Sequence, residues 1–376
     1  MLEITRLTLR EIALELKEPF RISSGVCRDR RVLLVEVESA DGVTGWAECV
    51  AGERPNYSPE TVDTAWLAIQ RWIAPLVLGR AFEHPTEVYG ALGAIRGHHM
   101  ARAAVEMAVW ELASRARGVS LAELLGGTRG RVETGISLGI QEGPAQLAEK
   151  ALAARDEGYR RVKLKIAPGM DVAYVEAVRA AVGDDTPLSV DANAAYTPAD
   201  TEHLRKLDAF GLVMLEQPFA PGDLVRHAVL QRSIETPICL DESITEPERA
   251  ADMVVLGSGR IINIKPGRVG GFTAALAIHQ VAAEHGIPVW CGGMLESGVG
   301  RAHNIALASL PNFQLPGDLS PSRRYWKRDI VSPEWTMEDG LVSVPSERPG
   351  MGVDIDIDYV TSLTARSETF AAGEKA

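Results

Sequence analysis

Five charged residues stand at nearly equal intervals along the middle of the chain. Lys165, Asp191, Glu216, Asp241 and Lys265 are separated by 26, 25, 25 and 24 residues. Each closes a short apolar or β-branched run: RVKLKIA, PLSVDAN, GLVMLEQP, TPICLDES and IINIKPG. Alanine-rich segments of helical character fill the intervals. That spacing is the length of one strand-loop-helix-loop unit, and the segments differ too much among themselves to form a solenoid repeat. ETGISLGI before them, and IPVWCGG and NFQLPGD after them, bring the count to eight candidate strands separated by seven helical stretches. Eight parallel strands with helical crossovers close into a barrel whose functional side chains gather at the C-terminal strand ends. An open doubly wound sheet is the alternative, and no GxGxxG follows a strand to support its dinucleotide-binding form.

The flanks read differently. EITRLTLREIALEL and RRVLLVEVES alternate with period two, and Asp41-Gly42 before VTGWAEC signals a hairpin, so an antiparallel meander opens the chain. From Pro59 to about Leu125 the pattern turns helical, with ARAAVEMAVWELASRARG as an amphipathic helix stopped by Gly118. At 376 residues and 46% hydrophobic content the chain fills one or two domains. A net charge of −12 disfavours nucleic acid and anionic membranes as partners. Four cysteines without a CxxC pattern fit neither a disulfide framework nor a zinc site. With no signal-peptide core and no run approaching a membrane span, the expectation is a cytoplasmic enzyme of small molecules. The terminal SETFAAGEKA is polar and small enough to fray.

The strand pattern sets the geometry of the charges. Residues i and i+2 share a face, so Lys163 and Lys165 point together while Val162, Leu164 and Ile166 point oppositely, toward the helices. Buried ammonium groups need counter-charges, and Asp191, Glu216 and Asp241 arrive from the next three strands. A lone strand-end carboxylate is most often a loop or helix-capping residue, but five charges in register are a constellation. Three converging carboxylates repel unless a cation sits among them, and an all-oxygen set favours Mg²⁺ first and Mn²⁺ second. Such an ion stabilises the enediolate formed when a proton leaves the carbon beside a carboxylate, with an acid or base on each face. A lysine base needs a lowered pKa, for which Lys163 beside Lys165, and Arg268 after Lys265, offer neighbouring cations. Glu242 is a further candidate that could pair with a lysine, and Glu296 reads as a cap for the helix after GGM.

K-x-K at 163–165, D-A-N at 191–193, E-Q-P at 216–218, D-E-S at 241–243 and NIKPGRVGG at 263–271 resemble the enolase superfamily, muconate-lactonizing subgroup. CGGMLESGVGRAHNIALASLPNFQLPGD is similar to the o-succinylbenzoate synthase and N-acylamino-acid racemase family within it. The resemblance implies a (β/α)7β modified TIM barrel at 129–320, with an α+β capping domain built from 1–128 and completed by 321–376. It implies Asp191, Glu216 and Asp241 as metal ligands and Lys165 and Lys265 as the acid/base pair, the lysine-and-Mg²⁺ pattern established for this superfamily. It further implies substrate contacts from Lys163, Ser137, Asn193, Gly293, Met294 and Leu295. A loop beginning at Phe20 and the segment from Cys49 to Tyr57 would cover the mouth. A small carboxylate is the implied substrate, and a homo-oligomer the implied assembly. The subgroup also contains muconate-type cycloisomerases, and dipeptide epimerases, which present D-x-D after the eighth strand, where this chain has Asp318 alone in GDLS. A Schiff-base aldolase has no use for three metal carboxylates, and a barrel that binds its ion only for structure has no use for the lysines.

Overall fold

The alternation at the N-terminus produces two unusually long strands. In the computed structural model, which describes residues 1–373, β1 (Leu2–Ile22), β2 (Gly25–Ser39) and β3 (Thr44–Cys49) form an antiparallel meander. Leu7, Leu9, Ile12 and Leu14 of β1 are buried, and Gly42 takes the left-handed turn between β2 and β3 at φ +76°. The β1–β2 hairpin runs past the sheet to a tip at Ile22 and Gly25. There the amide of Ile140 donates to the Arg21 carbonyl at 2.9 Å, which seats the tip on the barrel. The mouth is therefore roofed at Phe20 by a paired strand, not by the expected loop.

The recurring unit builds a parallel sheet. Its strands are β4 (Ile136–Leu138), β5 (Val162–Lys165), β6 (Leu188–Asp191), β7 (Leu215–Glu216), β8 (Ile238–Leu240), β9 (Ile261–Ile264) and β10 (Val289–Cys291), neighbouring one another in sequence order. The eighth segment is not a strand. Pro316 has no amide to donate, so the ladder breaks there, and the ring closes through separate bridges, Thr134 to Gly317 and Val289 to Phe313. The amide of Asp318 still donates to Cys291 and that of Gly135 to Gly317, at 2.8 and 2.6 Å, so the segment is bonded on both sides.

The helix α1 (His99–Arg117) departs from the amphipathic reading: every side chain from Met100 to Ser114 is buried. It lies between the cap sheet and the barrel, so no stripe of it meets water until its last turn, Arg115–Arg117, before Gly118 ends it at φ +68°. Its polar residues inside this layer bond the two parts together. Glu106 accepts from the amides of Phe272 and Thr273 at 2.8 and 2.9 Å and from Trp110 Nε1 at 2.8 Å. It thereby caps α2 (Phe272–Glu284), a barrel helix, from the other side of the interface. Burial pushes its carboxyl up to about 7, against those donors. Gly271, at φ +118°, leaves the space for it, since a Cβ there would stand 2.2 Å from Glu106 Oε2. Glu106→Ala leaves those donors unpaired, and urea unfolding should register a loss of about 3 kcal/mol.

The C-terminal tail is not frayed through its described length. β11 (Thr364–Ala371) pairs antiparallel with β1, Arg6 opposite Ala371, and extends the cap sheet. Glu374–Ala376 of the terminal decapeptide lie outside the described residues. No described helix is long and apolar enough to cross a membrane.

Candidate active site

The parallel register brings the five charges together. Lys165 pairs laterally with Asp191, Asp191 with Glu216, and Glu216 with Cys239. Asp241 lies two residues beyond Cys239, on the same face and one step nearer the mouth. Lys265 follows β9 in the same way, two residues after Asn263. The result is a row rising across the barrel, with the two terminal lysines on opposite sides of the ring. Asp191, Glu216 and Asp241 are buried, and each offers an oxygen within 4.8 Å of the other two. Lys165 Nζ bonds Asp191 Oδ2 at 2.5 Å and Asn193 Oδ1 at 2.8 Å. Lys265 Nζ bonds Asp241 Oδ2 at 2.8 Å. Arg268 reaches the other Asp241 oxygen and the carbonyls of Ile244 and Asn263, the latter two at 3.0 and 2.7 Å.

Lys163 shares the inward face but sits deeper. It contacts Glu216 at 3.0 Å and Asp318 at 2.9 Å, and its ammonium lies 4.4 Å above the Trp290 ring. Arg161 stacks on the same ring at 4.0 Å and also reaches Asp318, at 3.1 Å. Ser137 donates to Asp318 at 3.0 Å.

For Lys265 the electrostatics reverse the expectation that a neighbouring cation lowers the lysine pKa. Burial does favour the neutral amine, but Asp318, Glu216 and Asp191 outweigh it and hold Lys163 above the usual lysine range. Asp241 and Tyr57 do the same for Lys265. Among the carboxylates, burial and then Asp191 push Glu216 up to about 7. Asp191 and Asp241 stay below the usual range despite burial because of the cations bonded to them. The lysine fields and the triad are thus one coupled set of charges.

Two acidic candidates have other partners. Glu242 accepts from Asn193 Nδ2 at 2.9 Å, with no lysine bonded to it, and burial beside Asp241 raises it to about 8. Glu296 caps no helix; Ser297 does, for α3 (Gly298–Ala308). Glu296 Oε1 accepts from the Met294 amide and from Asn304, both at 2.8 Å, which pins the segment that lines the cavity.

A cavity of about 450 Å³ opens above this floor, lined by Phe20, Ser137, Lys163, Lys165, Asn193, Lys265 and Gly293–Leu295 among others. Asn193, Ala194, Gln217 and Leu295 all hold left-handed backbone around the mouth, at φ between +38° and +59°, a cost typical of residues placed for function. Three polar side chains went unassigned in the sequence. Tyr57 donates its hydroxyl to Asp241 at 3.1 Å and stands 3.0 Å from Lys265 Nζ. Asn263 donates to Glu216 at 2.7 Å, and Asp318 supports Lys163. The alternation that placed Lys163 and Lys165 would have placed Asn263 beside Lys265; Tyr57 carries no such signal.

Known proteins are similar to this chain over nearly its full length. Residues 146–360 match the enolase C-terminal domain-like family, and residues 4–126 match the mandelate racemase / muconate lactonizing enzyme N-terminal domain. An o-succinylbenzoate synthase from Geobacillus kaustophilus is 49% identical over 372 residues, covering 98% of both chains. An N-succinylamino acid racemase from an Amycolatopsis species is 47% identical, covering 94% of this chain and 95% of its own. A solved enolase-superfamily member from Listeria innocua superposes with a TM-score of 0.96 at 39% identity, over 99% of this chain and 100% of that one. A dipeptide epimerase from Cytophaga hutchinsonii, solved with Mg and D-Ala-L-Val, superposes at 0.90 and 25% identity, over 98% and 100% of the two chains.

Proposed function

The chain belongs to the enolase superfamily, in its mandelate racemase / muconate lactonizing group, and from this premise we propose that it removes the α-proton of a carboxylate substrate as an o-succinylbenzoate synthase and N-succinylamino-acid racemase. The observation that carries the reading is the placement of two lysines on opposite sides of a buried carboxylate triad, one bonded to Asp191 and the other to Asp241. The donor set fits a hard divalent ion: three buried carboxylates, all oxygen, with ligand atoms within 4.8 Å. Asp191, Glu216 and Asp241 would hold Mg²⁺, or Mn²⁺ in its place, and the ion would supply electrostatic stabilisation to the charge that gathers on the substrate carboxylate.

The protein's own groups do the proton chemistry. Lys165 takes or gives the proton on one face of the α-carbon and Lys265 on the other. Ser137 and Lys163 lie below the substrate carboxylate and hold it in line, while Asn193 fixes the Lys165 ammonium from its far side. Arg268 and Tyr57 keep Lys265 and Asp241 in one geometry, and Glu242 orients Asn193. The hairpin at Phe20 and the segment Gly293–Leu295 exclude water around the acyl arm. In the synthase reaction, proton removal from 2-succinyl-6-hydroxy-2,4-cyclohexadiene-1-carboxylate is followed by loss of hydroxide as water, as menaquinone biosynthesis requires. In the racemase reaction the same kind of enediolate is reprotonated from the opposite face. We assign the chemistry to 129–320 and the roof to 1–128 together with 321–376.

A dipeptide epimerase needs a free acidic group for the α-ammonium of its substrate. Asp318, the residue at that place, is already shared by Lys163, Arg161 and Ser137. The test is direct: the cyclohexadiene carboxylate should yield 2-succinylbenzoate, and a single enantiomer of an N-succinylamino acid should lose its optical rotation. Faster turnover of a dipeptide than of either substrate would overturn the reading.

A further inference from the structure

The three carboxylates of the triad differ in how they are held. Asp191 accepts from Lys165 Nζ and from the Asn193 amide, the latter at 2.9 Å. Asp241 has Lys265, Arg268 and the Tyr57 hydroxyl. Glu216 stands between them with one more rotatable bond, and it has Lys163 on Oε2 at 3.0 Å and Asn263 on Oε1 at 2.7 Å. Lys163 divides its charge between Glu216 and Asp318. Asn263 Nδ2 serves Glu216 alone among the described residues.

The proton chemistry has no use for this amide. Asn263 is fully buried, and its Oδ1 has no hydrogen-bond partner among the described residues. An unpaired buried acceptor is a cost that an apolar side chain in the same place would not carry. Turning the amide over would set Oδ1 against a carboxylate oxygen, so the donor has to face Glu216.

The opposite wall is Gly292. It follows Trp290 on the inward face of β10, and Trp290 is the lateral neighbour of Asn263. A Cβ at 292 would stand 2.3 Å from Asn263 Oδ1, 2.6 Å from its Nδ2 and 2.6 Å from Lys265 Cε. All three separations lie far inside van der Waals contact. The space left by this one missing side chain is therefore filled by the amide that bonds Glu216 and by the stem of Lys265.

We propose that Asn263 is a positioning residue for the divalent ion: it fixes Glu216 in the orientation that completes the triad, within a clearance that glycine at 292 provides. This rests on the ligand set proposed above and adds a neutral group outside the triad on which its affinity depends. Lys163, shared with Asp318, leaves the glutamate free to turn about that one contact. The second bond, from the β9 side, removes that freedom.

The experiment titrates Mn²⁺ into the chelator-treated protein and reads the free ion by its paramagnetic resonance signal, with no substrate present. Asn263→Ala removes the donor without adding bulk, and the Kd for Mn²⁺ should rise by about 10- to 100-fold. A side chain that only fills space would cost stability and leave the Kd where it was, so an unchanged Kd in the folded variant overturns the proposal. Should the alanine variant yield no soluble protein, Asn263→Ser carries the same prediction and the same refutation, because its hydroxyl is too short to reach Glu216. Gly292→Ala leaves position 263 intact and tests the clearance: it should weaken Mn²⁺ in the same direction, and a wild-type Kd there overturns the role given to Gly292. Failure of the wild type itself to bind Mn²⁺ would instead count against the parent ligand set.

Discussion

Lys265→Ala should lose both the dehydration and the racemisation, a fall of about 10³- to 10⁴-fold in kcat. The alanine removes the amine that serves that face and leaves there only the Tyr57 hydroxyl, whose pKa burial raises, whereas Asp241 keeps its bond to Arg268 and so stays compensated. The fold should therefore survive, and an unchanged circular dichroism spectrum would confirm that chemistry alone was lost. Lys165→Ala should behave likewise, with Lys163 still present beside Asp191 and Glu216. The two variants separate in deuterium oxide. If the lysines face each other across the α-carbon, each variant loses solvent exchange for one enantiomer of an N-succinylamino acid and keeps it for the other. Loss of exchange for both enantiomers in both variants would point to a one-base mechanism.

Chelation should remove activity as completely, and added Mg²⁺ or Mn²⁺ should restore it. Three buried carboxylates within 4.8 Å of one another have only lysine and arginine to offset them in the protein itself. An ion that binds the folded chain and not the unfolded one also stabilises it, by about 2.7 kcal/mol at a hundredfold excess over Kd. In a chain of this length that corresponds to a rise of several degrees in Tm. The melting shift is independent of turnover, so it tests the triad even in the absence of substrate. Full turnover after exhaustive chelation would exclude the mechanism, and a flat Tm with divalent ion would exclude the ligand assignment.

The regular interval between Lys165 and Lys265 made the barrel and its charged row legible, because parallel pairing preserves level: residues at equal distances along successive units become lateral neighbours. The row was legible for a second reason, the two-residue alternation that turns Lys163 and Lys165 to one face. Where that logic stops, so did the reading. Tyr57 reaches Asp241 from a segment with no periodicity, and its place depends on how the cap seats on the barrel. Asp318 follows a segment whose proline breaks the ladder, so its partnership with Lys163 was invisible in a count of strands. The apolar pattern of α1 could not reveal that both of its faces are covered, since an amphipathic helix and a sandwiched one differ in what surrounds them. The pKa direction of Lys265 departs from the expectation because the sequence shows the adjacent Arg268 and hides the distance to Asp241.

The pairing of β1 with β11 ties the order of synthesis to the order of assembly. As the chain leaves the ribosome, the hairpin that roofs the site precedes the barrel, but the edge of β1 from Arg6 to Ile12 has no partner until residues 364–371 appear. Every barrel strand and the whole carboxylate row precede those residues. The nascent protein thus carries an open strand edge through nearly its entire translation, the kind of edge that invites pairing with another chain. Residues 364–371, far from the chemistry in sequence, close that edge and complete the sheet from which the roof hangs.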